Sequence, residues 1–220
     1  MNTAALFDLF ASGVWGTVKF FLITAVGALL GGTVLAAMRV SPTPVLRAAS
    51  AAYVNVVRNT PLTLVMFFCV FGLPFLEIRA SKDAGINSFF MATVALIAYT
   101  SCFVAETLRS GISTVPVGQA EAARSIGLKF GQTLRFVVLP QAFRTVIPPL
   151  GSVLIAMLKN TSIASGFNNR ELISAMRGAI ELRGDLTIVI LLATAVSYLL
   201  LSLILGRLFT YLERKWVIVR

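Results

Sequence analysis

Five stretches of this chain run nearly free of charge for about the length of a membrane crossing, and this limits the fold more than any other feature. Phe20–Met38, Asn59–Leu76, Ala84–Ala105 and Leu186–Gly206 are uncharged runs of 19, 18, 22 and 21 residues. About 20 apolar residues of helix cross a bilayer core. A fifth run, Thr145–Leu158, has only 14 residues but extends back to Phe136 if Arg144 is tolerated. Pro148 and Pro149 stand in its first half. A membrane helix accepts proline where neighbouring helices satisfy the freed carbonyls, so this one is expected to pack in a bundle, close to function. The expectation is an all-α membrane protein of five transmembrane helices in one domain, 1–220.

Charge placement tests the count and sets a direction. With the N-terminus outside, the inside segments 39–58, 109–144 and 207–220 carry twelve Lys and Arg against Glu121 and Glu213. The outside segments carry equal numbers of acids and bases. Cytoplasmic loops concentrate Lys and Arg, so the N-terminus is expected outside and the C-terminus in the cytoplasm. Dropping the fifth span would put the basic tail outside. No Lys or Arg precedes Lys19, so there is no basic n-region of a cleaved signal, and the first helix is expected to be retained. The same rule accounts for the net charge of +10 without nucleic acid.

Composition excludes most catalytic chemistry. Charged residues are 13% of the chain, half the share of a soluble domain. With no histidine there is no Ser-His-Asp triad, Cys-His dyad or His-ligated metal. Cys69 and Cys102 lie in apolar runs and read as small buried hydrophobes. No Gly-x4-Gly-Lys-Ser/Thr pattern occurs, so the chain is expected to bind no nucleotide or other cofactor itself.

Finer features follow the spans. Gly27-x-x-x-Gly31 offers close packing on the first helix. Ala48–Val57, between Arg47 and Arg58, is too short to cross and reads as a cytoplasmic extension or interfacial start of the second helix. Trp15, Trp216 and Tyr211 read as interfacial anchors. Segment 166–185 has mixed charge and suits an external amphipathic helix, either receiving a partner or simply connecting.

The loop 109–144 is long, basic and rich in helix formers. Pro116 and Gly118 read as breakers, Gln119–Ile126 as about two helical turns, and Gly127 as a left-handed stop. Glu121 and Arg124 suit the two poles of that helix, and Ala122, Ala123 and Ile126 give it a small apolar face. A second helical piece is expected to about Val138, ended by Leu139-Pro140. The short helix could be a rigid knob for a groove on a cytoplasmic partner, or a solvated amphipathic loop on the membrane.

Here the sequence resembles a known family. Glu121-Ala122-Ala123, then Gly127, Val137 and Leu139-Pro140 resemble the EAA motif of ABC importer membrane subunits, with Val137 at the usual isoleucine. Arg58-Asn59-Thr60-Pro61-Leu62, Ala105-Glu106-Thr107-Leu108-Arg109-Ser110-Gly111-Ile112 and Leu158-Lys159-Asn160-Thr161-Ser162-Ile163 are similar to stretches of polar amino acid permeases. In the last, Asn160 replaces an aspartate. The combination looks closest to the glutamate-uptake branch. The resemblance implies a type I (MetI-like) importer transmembrane domain. It also implies that Gly118, Ala120, Glu121, Ala122, Ala123, Arg124, Ile126 and Gly127 form a coupling helix on a cytoplasmic ATPase dimer, where partner chains use ATP and magnesium. Further implied partners are a second permease chain (the same or a similar one), an extracytoplasmic amino-acid-binding protein and the lipid of a prokaryotic cytoplasmic membrane.

Candidate pathway residues are Thr60, Thr100, Ser101, Glu106, Asn160, Thr161, Ser162 and Ser165. Hydroxyls and free backbone after a proline-bearing helix can hold an amino acid's carboxylate and ammonium. For Asn160 to Ser165 the alternative is capping of the following helix. For the threonines and Ser101 it is interhelical hydrogen bonding. Glu106, with Arg109 at i+3, is either a structural ion pair or a gate. Two other functions compete with the importer: a secondary transporter driven by an ion gradient, and a non-transporting assembly subunit. The first would need several acids or a histidine relay within the membrane.

Overall fold

In a bilayer, helices gain little from leaving lipid for one another, so contact depends on close approach and dispersion. The computed structural model, which describes residues 3–216, is built on that rule. Helix α1 (Thr3–Val40) lies along α5 (Ala84–Ser113). A Cβ on Gly31 would sit 2.6 Å from the Ser101 hydroxyl, and one on Gly32 would collide with Val104. Ser101 donates to the Ala28 carbonyl across this seam at 3.3 Å. The core here mixes small residues, Ala25, Ala28, Ala92 and Ala95, with the larger Phe20, Met91 and Leu96. The expected packing role of Gly31 is seen here, and Gly27 meets Ile97 in the same way.

Helix α1 starts well before Phe20, because nothing in Thr3–Lys19 breaks a helix, and the exposed Trp15 rides on this extension. The chain then turns into α2 (Pro44–Arg58). Helix α2 is not a straight extension of the next span. It is bent 103° from the segment Leu62–Phe75 across Asn59, Thr60 and Pro61. Proline at 61 disfavours helical geometry for the residue before it and opens α3 (Leu62–Phe67), which runs through Phe68–Gly72 into α4 (Leu73–Phe75).

After α5 come α6 (Val117–Ser125), α7 (Phe130–Thr133), α8 (Leu139–Asn160), α9 (Leu172–Leu182) and α10 (Thr187–Trp216). Four stretches are long and apolar enough to cross a membrane: Ala5–Val40, Ala84–Ser113, Phe130–Phe167 and Gly184–Lys215. The bent pair α2 and α3–α4 makes a fifth candidate. No strand occurs among the described residues. Helix α5 is the most enclosed of the four long stretches and α10 the least.

Leu139-Pro140 does not end a helix. Residues Leu134–Val138 widen into a π turn, where the Leu139 N–H reaches the Leu134 carbonyl, and α8 continues from there. The same device occurs earlier: Phe68–Gly72 is a π turn, the Leu73 N–H reaches Phe68, and Pro74 follows. A proline lacks the N–H for an α-helical bond and its ring crowds the carbonyl four residues back. A wider turn just ahead of it relieves that crowding, so the helix carries on. Pro148 and Pro149 lie within α8, as the sequence requires.

Cys69 and Cys102 are buried and unpaired, as expected. The Trp216 side chain and the tail 217–220, with Arg220, lie outside the described residues.

Candidate functional site: a projecting helix and a polar stripe

Helix α6 projects from one end of the bundle. Pro116 is its N-cap, and Gly118 lies inside its first turn rather than breaking it. The first-turn N–H groups need no intrahelical partner, so a glycine there costs little. At the other end Gly127 takes φ +91°, as the sequence reading requires. Its N–H reaches the Arg124 carbonyl at 2.9 Å, and the Leu128 N–H reaches Ala123 at 3.2 Å. These two bonds make a Schellman cap. The Arg124 guanidinium turns back to the Ala120 carbonyl at 3.4 Å.

The apolar face expected for α6 is divided. Ala123 is buried against the chain itself and Ala120 is half-buried, whereas Ala122 and Ile126 are exposed. Residues 122, 123 and 126 span about 100° of the helix, and α6 is seated with only its Ala123 edge against the bundle, which leaves Ala122 and Ile126 outside. The outward face is Gly118, Glu121, Ala122 and Ser125, with Ile126 at its edge. No heavy atom lies within 4 Å of where a Gly118 Cβ would stand. Behind α6 is a cavity of about 380 Å³ lined by Ile112, Val115, Val117, Ala120, Phe130 and Val138 among others. Gln141 of α8 donates to the Gln119 side chain and to the Val137 carbonyl, tying the projecting helix to α8.

Glu106 holds more than its expected partner. Arg109 donates to it at 3.1 Å, but Arg39 from the end of α1 stands at 3.5 Å and Arg58 from the end of α2 at 3.9 Å. One acid therefore ties three helix ends. The sequence reading missed Arg39 and Arg58; the signal was that both close helices beside an acid with only one local partner. Arg39 Nη1 and Arg109 Nε are buried without a hydrogen-bond acceptor among the described residues. A cavity of about 270 Å³ runs from Glu106 past Thr107, Ser110 and Thr114 to Thr145 and Pro149 of α8.

From that cavity a stripe of small and polar residues climbs α8. Thr145, Pro149, Ser152, Ala156 and Lys159 are exposed at helical spacing, and half-exposed Asn160 ends the row. Ser152 is a member the sequence reading did not single out. The outer face of α10, by contrast, exposes Leu192, Val196, Leu199 and Leu203. Exposed leucine and valine suit lipid, while a polar stripe within a span suits a path or a neighbouring chain.

The segment after α8 does not break. Thr161–Phe167 tightens into a 3-10 helix. Thr161, Ser162 and Ser165 donate to the carbonyls of Leu158, Lys159 and Ser162, at 2.6, 2.7 and 2.8 Å. Thr161 and Ser165 are buried, and the Asn160 side chain makes no hydrogen bond among the described residues. Thr60 donates to Val56 within its own turn, and Thr100 is buried. None of the hydroxyls caps α9. Glu171 does, accepting from the Ser174 N–H at 2.9 Å in a reciprocal capping box.

Glu171 is 1% exposed and accepts from the Tyr198 hydroxyl of α10 at 2.8 Å. Next to it the Leu172 N–H donates to Thr17 of α1. Burial raises the Glu171 pKa, against its hydrogen bonds with Ile173, Tyr198 and Ser174 and the charge of Arg177. This junction fixes the end of the bundle opposite α6.

A bent and proline-bearing helical bundle, with a projecting helix at one end and a polar stripe along one face, suits the membrane part of a transport system. The chain belongs to the family of binding-protein-dependent transport system inner membrane components, whose pattern matches residues 20–218. It is 48% identical over 198 residues to the glutamate transport system permease protein GluC of Corynebacterium glutamicum, covering 87% of each chain. It is 36% identical over 221 residues to the probable glutamine ABC transporter permease protein GlnM of Bacillus subtilis, covering 98% of each. Among solved structures, a chain of an amino acid ABC transporter crystallised with histidines superposes with TM-score 0.86 at 28% identity, over 96% of both chains. The inward-facing methionine transporter MetNI superposes at 0.78 with 17% identity, over 99% of this chain and 100% of that one, which shares the fold. The fold is that of a type I ABC importer permease, a multi-pass membrane protein that is not itself an enzyme.

Proposed function

We propose that this chain is one permease subunit of an importer for glutamate in a prokaryotic cytoplasmic membrane, with its N-terminus outside and its C-terminus inside. The observation that carries the reading is the exposed polar stripe of α8, which begins beside Glu106 and ends at Asn160. A second permease chain, the same or similar, covers that stripe, and the two enclose a path. Five helices in one chain are few for a path of its own.

Work enters through α6. Its outward face, Gly118, Glu121, Ala122 and Ser125 with Ile126 beside it, sits in a groove of a cytoplasmic ATPase, which uses ATP and magnesium. ATPase closure displaces α6, and the Gln119–Gln141 bond and the buried Ala123 pass the displacement to α8. The bundle then switches between inward-open and outward-open forms, a two-state motion of packed helices. An external binding protein delivers the amino acid at the end marked by α9.

Glutamate is favoured because relatives named for it match at 48% and 47% identity. The residues agree: Asn160 places a neutral amide where a carboxylate would repel an acidic side chain, and Lys159 beside it is exposed. Asn160 and Ser162 are half-exposed polar groups at that end and meet the amino acid there, and Glu106 with its arginines gates the other. Thr60, Thr100, Ser101, Thr161 and Ser165 support the path wall.

The test is reconstitution. The chain, co-expressed with its partner subunits, should take up labelled glutamate into vesicles only with ATP and the binding protein. Glutamate movement without ATP would sink the reading and favour a gradient-driven carrier.

A further inference from the structure

Helix α10 carries a second chemistry on its exposed side. Leu192, Val196, Leu199 and Leu203 form an exposed apolar stripe, and the same stripe continues into Arg207, Thr210 and Arg214, with Tyr211 at its margin. These last four residues line a recess of about 310 Å³. Neither arginine makes an ion pair among the described residues. Phe209 of α10 packs where a Cβ on Gly151 would fall, and Ile155 lies 3.8 Å from where one on Gly206 would fall, so α10 runs antiparallel to α8 and brings these arginines to the α6 end of the bundle. Two unpaired guanidiniums, a phenol and a threonine oxygen at the foot of a lipid-facing apolar stripe match one ligand shape: an anionic headgroup carrying acyl chains. Basic recesses at a membrane surface attract anionic lipid by about 1 kcal/mol per cation.

We propose that the Arg207–Arg214 face of α10 is a binding site for one anionic phospholipid in the leaflet at the α6 end. Its phosphate lies between the two guanidiniums and an acyl chain lies along Leu203, Leu199 and Val196. A lipid so held braces α10 against α8 beside the coupling helix. The site is separate from the α8 stripe, and the proposal does not depend on which amino acid is carried.

The assembled importer, purified in mild detergent, is titrated with phosphatidylglycerol and with phosphatidylcholine, and bound lipids are resolved by native mass spectrometry. The first phosphatidylglycerol should bind more tightly than phosphatidylcholine. Arg207→Gln with Arg214→Gln should weaken it by about fivefold per arginine, leaving phosphatidylcholine unchanged. Arg207→Lys with Arg214→Lys should keep most of the affinity. Arg135→Gln with Arg144→Gln, which removes two exposed charges elsewhere at the same end, should leave it intact. Unchanged phosphatidylglycerol binding in the glutamine pair would overturn the site, as would an equal loss in the Arg135/Arg144 pair. Equally effective displacement by soluble glycerol 3-phosphate would reassign the recess to a free phosphate and overturn the lipid.

Discussion

Arg39 at the end of α1 stands 3.5 Å from Glu106 on α5, and this contact closes the α1–α5 seam at the end that leads into α6. Arg58 and Arg109 share the same carboxylate. Removing the acid leaves three arginines facing one another. The cluster is partly hydrated, so the loss falls between that of a surface pair and a buried one, about 1–2 kcal/mol. Glu106→Gln should lower the melting temperature of the purified complex by several degrees and lower uptake with it. An unchanged melting temperature would show that the cluster carries no stability.

Glu121 is exposed on the outward face of α6 and makes no ion pair among the described residues. Glu121→Lys should leave the amount of permease in the membrane unchanged while ATP hydrolysis no longer drives uptake. Uptake at the normal rate with this variant would count against docking through α6.

Two glycines of the same loop should respond in opposite ways. Gly127 has φ +91° with open space around it, so Gly127→Ala meets no clash and pays only for the backbone, about 1–2 kcal/mol. Gly118 is helical and equally open, so Gly118→Ala should be neutral or stabilise α6 by up to about 1 kcal/mol. Hydrogen exchange of the α6 amides reads this directly: faster in the first variant, unchanged or slower in the second.

Glu171 links stability to pH. Its folded pKa is raised by burial, so the folded carboxyl keeps its proton after the unfolded one has released it. The folded state is favoured below the ordinary carboxylate value, and that advantage is lost as pH rises through the interval up to the raised value. Glu171→Gln keeps an acceptor for the Ser174 N–H or Tyr198 and removes the titration. Its melting temperature should vary less than the native protein's across that interval; parallel profiles would show that Glu171 is not responsible.

Asn160→Asp tests the substrate directly. A new carboxylate about 4 Å from an acidic substrate costs about 1 kcal/mol in a watery path and more in a drier one. KM for glutamate should rise several-fold or more, while expression and basal ATP hydrolysis stay level. An unaltered KM would remove Asn160 from the path.

Much of this was legible in the residues. The α6 helix, its left-handed stop at Gly127 and the prolines within α8 depend on local rules that hold wherever the segment sits. The errors came where local rules meet packing. Leu139-Pro140 reads as a stop, but a π turn ahead of it absorbs the proline. Ala122, Ala123 and Ile126 read as one face, but Ala123 is claimed by the chain's own core. The hydroxyls of Thr161, Ser162 and Ser165 read as path ligands or as caps of the following helix, and packing returns each to its own backbone.

Sequence alone determined the long apolar helices, the short α6 helix with its glycine stop and the kinship, because hydropathy, motif spacing and glycine geometry are properties of short segments. Only the tertiary structure decided that Arg39 and Arg58 join Arg109 on Glu106, that α2 turns 103° from the next span, and that Glu171 bonds Tyr198. These depend on which helix ends meet in space. Charges close at a few ångströms irrespective of their separation along the chain, so no local pattern records them.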